Sequence, residues 1–68
     1  MGHWIKVYKT SANYKAEIVR DILSNSGLAP VIINKKESAT QIGFCEVHVI
    51  GEEVLKAKKI IDDEIVFE

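Results

Sequence analysis

The apolar residues of this chain change their spacing along the sequence, and the order of these changes restricts the fold more than any other feature. A spacing of two residues is typical of a half-buried strand, whereas a spacing of three to four is typical of an amphipathic helix. The chain begins with strand-like spacing and changes to helical spacing. Two further segments with the character of strands follow, and then a second segment with helical spacing. The predicted order is therefore β-α-β-β-α, and a final strand at Ile65–Phe67 is left open.

The first strand is predicted at Trp4–Lys9, where β-branched and aromatic residues alternate with lysines. Successive side chains of a strand point to opposite faces of the sheet. Uninterrupted alternation therefore predicts that Trp4, Lys6 and Tyr8 share one face.

The first helix follows, and Ser11 or Asn13 is predicted as its N-cap because a side-chain oxygen can accept from the free N–H groups of the first turn. Gly27 supplies the left-handed residue that ends a helix, and Pro30 prevents the helix from resuming. The predicted apolar stripe consists of Tyr14, Ile18 and Ile22, with Val19 and Leu23 alongside them.

In the second half, a strand at Val31–Ile33 is expected to end near Asn34. A polar connection, Lys35–Gly43, leads to an alternating strand at Cys45–Ile50, with Glu46 and His48 facing away from the core. The next residues, Gly51 to Glu53, open the second helix. Its expected buried side consists of Val54, Ala57 and Ile61, with help from Leu55 and Ile60.

This element order predicts an α+β fold of the ferredoxin-like kind, a single domain over residues 1–68 in which two helices cover one face of an antiparallel sheet. With 47% apolar residues and a net charge of −1, the chain is neither disordered nor a basic nucleic-acid binder. No apolar run is long enough to span a membrane. A single cysteine excludes a disulfide scaffold and favours the cytoplasm.

Catalytic motifs are nearly absent from the sequence. The four glycines form no phosphate-binding loop. Cys45 and His48 differ by three positions along a strand, so they should face opposite ways and form neither a metal site nor a nucleophilic pair. We expect a buried thiol and an exposed imidazole, and we expect the acidic pairs at 52–53 and 62–63 to be solvated helix ends. The sequence therefore favours a protein that is not an enzyme and needs no metal or cofactor.

The sheet face away from the helices is the strongest candidate for an interaction surface. Trp4, Tyr8 and His48 are its candidate association residues. An aromatic sheet face can stack single-stranded RNA, but the third strand lacks the aromatic segment of RNA-recognition modules, and Glu46 would repel phosphate. We therefore prefer a protein–protein surface, used for self-association, since a chain of 68 residues buries only about 60% of its unfolded surface.

Charge is divided unevenly, with +4 over residues 1–36 and −5 over residues 37–68. The basic half ends in Lys35 and Lys36, next to Glu37, Ser38 and Thr40. A connection with two ammonium groups and two hydroxyls could bind an anion or the acidic surface of a partner. A solvated loop without a ligand is the other interpretation of the same residues.

The sequence also resembles a known family. The residues that carry the likeness are Lys9-Thr10, Ala16-Glu17-Ile18, Leu23, Gly27-Leu28, Asn34-Lys35-Lys36-Glu37-Ser38, Gly43, Glu46-Val47-His48-Val49, Glu52-Glu53 and Ala57. Over residues 4–63 they resemble a small prokaryotic family described as signal-transducing proteins, a domain of unknown function related in fold to the PII (GlnB-like) regulators. That family has Asp where this chain has Glu37.

The resemblance implies a GlnB-like, ferredoxin-like domain with a regulatory role and no established ligand. PII regulators bind nucleotide between subunits and signal through a long loop between their second and third strands, whereas the corresponding connection here is only Lys35–Gly43. We therefore expect a cytoplasmic regulatory module that forms homo-oligomers and binds an unidentified protein partner. The alternative is a sensor that binds an anion or nucleotide through Lys35, Lys36, Glu37 and Ser38.

Overall fold

A computed structural model describes residues 3–37 and 42–64 of the chain. Its elements are β1 (Trp4–Thr10), α1 (Asn13–Asn25), β2 (Val31–Glu37), β3 (Ile42–Ile50), a single 3-10 turn at Gly51–Glu53, and α2 (Val54–Glu64). This is the predicted α+β order, although β2 and β3 are longer than expected. The segment Ile65–Phe67, for which the sequence leaves a final strand open, lies outside the described residues.

The described strands form one antiparallel sheet in the order β1-β3-β2. Because β1 and β2 both pair antiparallel with β3, they run parallel to each other, and α1 connects them. The central strand β3 shows the predicted alternation, since Cys45, Val47 and Val49 all join one hydrophobic core. Among the helical residues of that core are Val19, Leu23 and Ala57, so both helices cover the same face of the sheet.

Helix α1 begins without a side-chain cap. Its N-cap residue is Ala12, so the prediction of Ser11 or Asn13 is wrong. Thr10 Oγ1 instead accepts a hydrogen bond from the backbone N–H of Ala12 at 3.1 Å, which fixes the turn between β1 and the helix.

The end of α1 is the predicted glycine stop. Gly27 has φ +91°, a conformation that favours glycine because it has no Cβ. Its N–H donates to the carbonyl of Ser24, and the N–H of Leu28 donates to the carbonyl of Leu23, both at 3.1 Å. These two bonds form a Schellman motif, and the side chains of Leu23 and Leu28 both pack in the core.

The buried faces of the helices differ from the predicted stripes. On α1, Ala16 lies beside the buried Val19 and Leu23, whereas Tyr14 is 62% and Ile18 is 41% exposed. The small side chain of Ala16 allows this side of the helix to lie close to the sheet. On α2, Ala57 is buried as predicted, but Leu55 is 85% exposed, so its predicted inward position is wrong.

None of the helices in the described ranges, 3–37 and 42–64, is long and apolar enough to cross a membrane.

Candidate functional site on the open sheet face

The face of the sheet opposite the helices is the candidate site, and its members follow from the register. Directly paired residues of antiparallel strands point to the same face. Residues that share the face of Glu46 and His48 form what we term the open face. Among described side chains, these are Trp4, Lys6 and Lys9 from β1, Val31, Ile33 and Lys35 from β2, and Phe44, Glu46, His48 and Ile50 from β3.

A β-bulge in β1 changes one of the predicted members. Lys6 pairs with His48, but the register shifts before Tyr8, which pairs with Val47. Tyr8 therefore lies on the helix-covered face and packs against the core, so its predicted position beside Trp4 is wrong. The bulge inserts one extra residue between Lys6 and Tyr8. The side chains after it therefore point to the face opposite the one that uninterrupted alternation predicts. Burial raises the pKa of the Tyr8 hydroxyl, with a smaller contribution from Tyr14.

Glu46 is buried at the centre of the open face, although neither of the described helices covers it. Its side chain is only 7% exposed, because lysines from both neighbouring strands lie over it. Lys6 Nζ lies 3.8 Å from Glu46 Oε2, and Lys35 Nζ lies 3.7 Å from Glu46 Oε1. A buried charge is costly unless it is paired and hydrogen-bonded. Here lysines from the two outer strands supply the charge pairing for one carboxylate.

His48 completes the compensation of Glu46. Its Nε2 lies 2.9 Å from Glu46 Oε1. This hydrogen bond is the main reason that the pKa of Glu46 lies below its ordinary value; burial opposes the lowering, and Lys35 and Lys6 add to it. An ionised carboxylate only accepts, so His48 Nε2 carries a proton and donates it. The His48 side chain is 13% exposed, so the prediction of an exposed imidazole is wrong.

The remaining His48 nitrogen has a different environment. Nδ1 is buried and has no hydrogen-bond partner among the described residues. When the ring is neutral, Nδ1 carries a lone pair, because the only ring proton is on Nε2. Among the described residues, Glu46 is therefore the one hydrogen-bond partner of the imidazole, which supports the buried carboxylate.

Aromatic and aliphatic side chains surround this charged centre. Trp4 is 50% exposed, and it pairs with the half-buried Ile50 at one end of the face. At the other end Lys9 Nζ lies 4.2 Å from the centroid of the Phe44 ring, a cation–π contact. Trp4 is thus the most exposed of the large apolar side chains described on this face.

The described side chains of the open face carry a net positive charge. Its described side chains include Lys6, Lys9 and Lys35, and Glu46 is their one carboxylate. Two of the lysines lie against that carboxylate, whose single negative charge balances only one of them, and the third lies over Phe44. A second molecule that meets this face therefore encounters an aromatic group beside exposed ammonium groups.

The described residues of the predicted ligand loop, 35–37 and 42–43, belong to strands. Lys35, Lys36 and Glu37 belong to β2, and Gly43 belongs to β3. Lys35 pairs with Phe44 on the open face, whereas Lys36 pairs with Gly43 on the helix-covered face. The two ammonium groups therefore do not converge. Ser38 and the side chain of Glu37 lie outside the described part of the chain.

Cys45 is buried, as predicted, and lies on the face opposite His48. The thiol contacts two amides, with Sγ 2.7 Å from Asn13 Oδ1 and 3.0 Å from Asn34 Oδ1. Sequence reasoning missed these partners. Alternation along β2 and β3 could have placed Asn34 and Cys45 on the same face of the sheet. Nothing in the sequence indicated that Asn13 would reach the same thiol from α1.

No family model, no curated protein and no solved structure matches this chain.

Proposed function

We propose that this chain is a regulatory interaction module without catalytic activity that associates with a second copy of itself through the open face. The observation that carries the proposal is the half-exposed Trp4 on a sheet face that no described helix covers. Aromatic anchors that lie beside smaller apolar side chains are typical of interface centres. Ile50 pairs with Trp4 and supplies such a neighbour, and Val31, which is 37% exposed, adds apolar surface to the same face on the other side of β3.

The size of the open face limits the strength of this association. Three strands about 4.8 Å apart and up to nine residues long give a face of roughly 15 by 30 Å. Two copies would together bury about 1,000 Å², near the lower limit for a specific interface. We therefore propose a weak dimer, with a dissociation constant in the micromolar range or above.

The finer architecture and the cellular role belong to the same proposal. The order β1-β3-β2 with both helices on one face supports a ferredoxin-like, GlnB-like domain. The signal-transducing role rests on the family resemblance, and the cytoplasmic location rests on the single cysteine. Two observations support the absence of catalysis. The register places Cys45 and His48 on opposite faces of the sheet, and Glu46 and His48 are hydrogen-bonded to each other.

Sedimentation velocity of the purified chain tests the association. We expect a monomer–dimer equilibrium that Trp4→Ala weakens by about tenfold or more, because truncation of an aromatic anchor typically costs at least 1–2 kcal/mol. The matched control is Tyr14→Ala, which removes an exposed aromatic side chain from α1 and should leave the equilibrium unchanged. A strict monomer at high concentration, or an equal effect of both variants, would reject the proposal.

Salt distinguishes contact between two open faces from contact with an acidic surface. Two copies that meet through the same face bring positive charges together, and ions screen this repulsion. Sodium chloride should therefore tighten the dimer. If salt weakened it, the open face would instead contact an acidic region, and the proposed symmetric contact would be wrong.

The alternative function is a sensor that binds an anion or nucleotide through Lys35–Gly43. The structure weakens this alternative, because Lys35 contacts Glu46 and Lys36 lies on the other face. A thermal-shift screen of nucleotides and phosphorylated metabolites tests it. A ligand whose stabilising effect is lost in Lys36→Gln would favour the sensor.

A further inference from the structure

A polar groove lies on the helix-covered side of the sheet, between α1 and the outer strand β2. Its volume is about 250 Å³, and it is lined by Asn13, Glu17, Arg20, Ile32, Asn34 and Cys45. Three of these residues lie on one side of α1, at intervals of four and three residues, the spacing of neighbours on a helix surface. The groove shares no residue with the open face.

The two asparagines form the polar end of the groove. Both side-chain oxygens face Cys45 Sγ, whose thiol has one proton and donates to one of them at a time. Because both Oδ1 atoms contact the sulfur, the other polar group of each side-chain amide is its Nδ2 amino group. Asn13 and Asn34 thus provide N–H donors from a helix and a strand at one place.

Arg20 and Glu17 supply opposite charges along the same groove. Arg20 uses Nε and Nη2 to contact Asp21 Oδ1 at 3.3 and 3.2 Å. Its Nη1 group makes no hydrogen bond within the described residues, so donors remain for a ligand. Glu17 is exposed, and no ion pair or hydrogen bond of its carboxylate is found in the same part of the chain.

We infer that the groove binds a small zwitterion of the α-amino-acid class. Arg20 and the two asparagine amides suit a carboxylate, and Glu17 suits an ammonium group. Ile32 is the aliphatic residue of the lining, so a short aliphatic side chain is favoured. The volume lies below the usual range of sites for drug-sized ligands, roughly 300–1,000 Å³, and therefore suits a small metabolite.

L-valine and two analogues test the inference without any change to the protein. Isovalerate keeps the aliphatic group and the carboxylate but lacks the ammonium, and isobutylamine lacks the carboxylate. In proton–nitrogen correlation NMR spectra of the full chain, L-valine should shift the side-chain amide signals of Asn13 and Asn34 saturably at millimolar concentration. Both analogues should bind at least about tenfold more weakly, because each leaves one charged partner unsatisfied.

Charge-neutralising variants then assign the two subsites. Arg20→Gln and Glu17→Gln change exposed parts of side chains, and each should weaken L-valine binding at least about tenfold. Lys58→Gln and Glu52→Gln are matched controls, since they remove the same charges from exposed residues elsewhere and should leave binding unchanged.

Three results would overturn the inference. One is the absence of saturable shifts with L-valine, and another is equal binding of isovalerate. The third is retention of L-valine affinity in both Arg20→Gln and Glu17→Gln. Trp4→Ala should leave L-valine binding intact, which separates this site from the proposed association surface.

Discussion

Adjacent residues of the central strand β3 are buried in two different ways. Val47 and Val49 face the helices and are fully buried by apolar packing. Glu46 and His48 face the other side, where lysine side chains and a mutual hydrogen bond replace a covering layer. One face of the sheet is therefore a conventional core, whereas the other is a surface with its charged centre already compensated.

The difference shows why the open face can be an interaction surface. A partner would not have to desolvate a bare carboxylate, because Lys6, Lys35 and His48 already lie against Glu46. What remains accessible is Trp4, which pairs with Ile50 at one end of the face, and Val31 on the other side of β3. The charges order the middle of the face, and the apolar side chains provide the contact area.

Truncation of matched valines should show the largest difference between the two faces. Val47→Ala removes two methyl groups from a fully buried site and should lower the free energy of unfolding by about 2–3 kcal/mol. Val31→Ala removes the same groups from the open face, where the side chain is 37% exposed, and should cost less than about 1 kcal/mol. Urea unfolding of both variants measures the difference. Equal losses would contradict the assignment of a core face and an open face.

Acid should affect the open face selectively. The pKa of Glu46 is lower in the folded chain than its ordinary value of 4.5, so folding favours the carboxylate. Its contribution to stability is fully present above that value and is lost as the pH falls through the lowered folded pKa. Glu46→Gln should therefore be less stable than wild type at neutral pH, and the difference should shrink in acid.

Urea unfolding between neutral pH and about pH 3 measures this dependence. Glu52→Gln serves as the control, because Glu52 is exposed and has no ion pair in the described residues. A difference between wild type and Glu46→Gln that stayed constant with pH would show that the buried carboxylate does not act through its charge.

The cation–π contact should have the smallest effect. Lys9→Gln removes the ammonium group over the Phe44 ring and should lower stability by about 0.5 kcal/mol, the value typical of exposed sites. Lys36→Gln is the matched control, since Lys36 lies on β2 and has no such ring contact among the described residues. Equal stabilities of the two variants would show that this cation–π contact does not stabilise the fold.

Local patterns predicted most of the framework because they act within one element. The alternation of β3 placed Val47, Val49, Glu46 and His48 on the correct faces, and Gly27 marked the end of α1. The bulge in β1 was not predictable in the same way. Its residues alternate without interruption, so only pairing with β3 shows that the facing reverses before Tyr8.

The candidate sites were less predictable because they depend on contacts between distant elements. Trp4 on the open face followed from alternation alone. The burial of Glu46 depends on lysines from two other strands, and the groove depends on Asn13 and Asn34, which approach Cys45 from α1 and β2. The sequence around Lys35 and Lys36 shows no apolar alternation and therefore predicts a loop, yet backbone pairing with β3 extends β2 to Glu37.

Intrinsic fluorescence offers the most direct test of the central claim that the open face mediates self-association. Trp4 is the only tryptophan of the chain, so its emission reports on this face without a label. If two copies meet through it, emission should move to longer wavelength on dilution, with a midpoint that matches the monomer–dimer equilibrium from sedimentation. An emission maximum that stays constant while sedimentation shows dissociation would place the contact elsewhere and contradict the account.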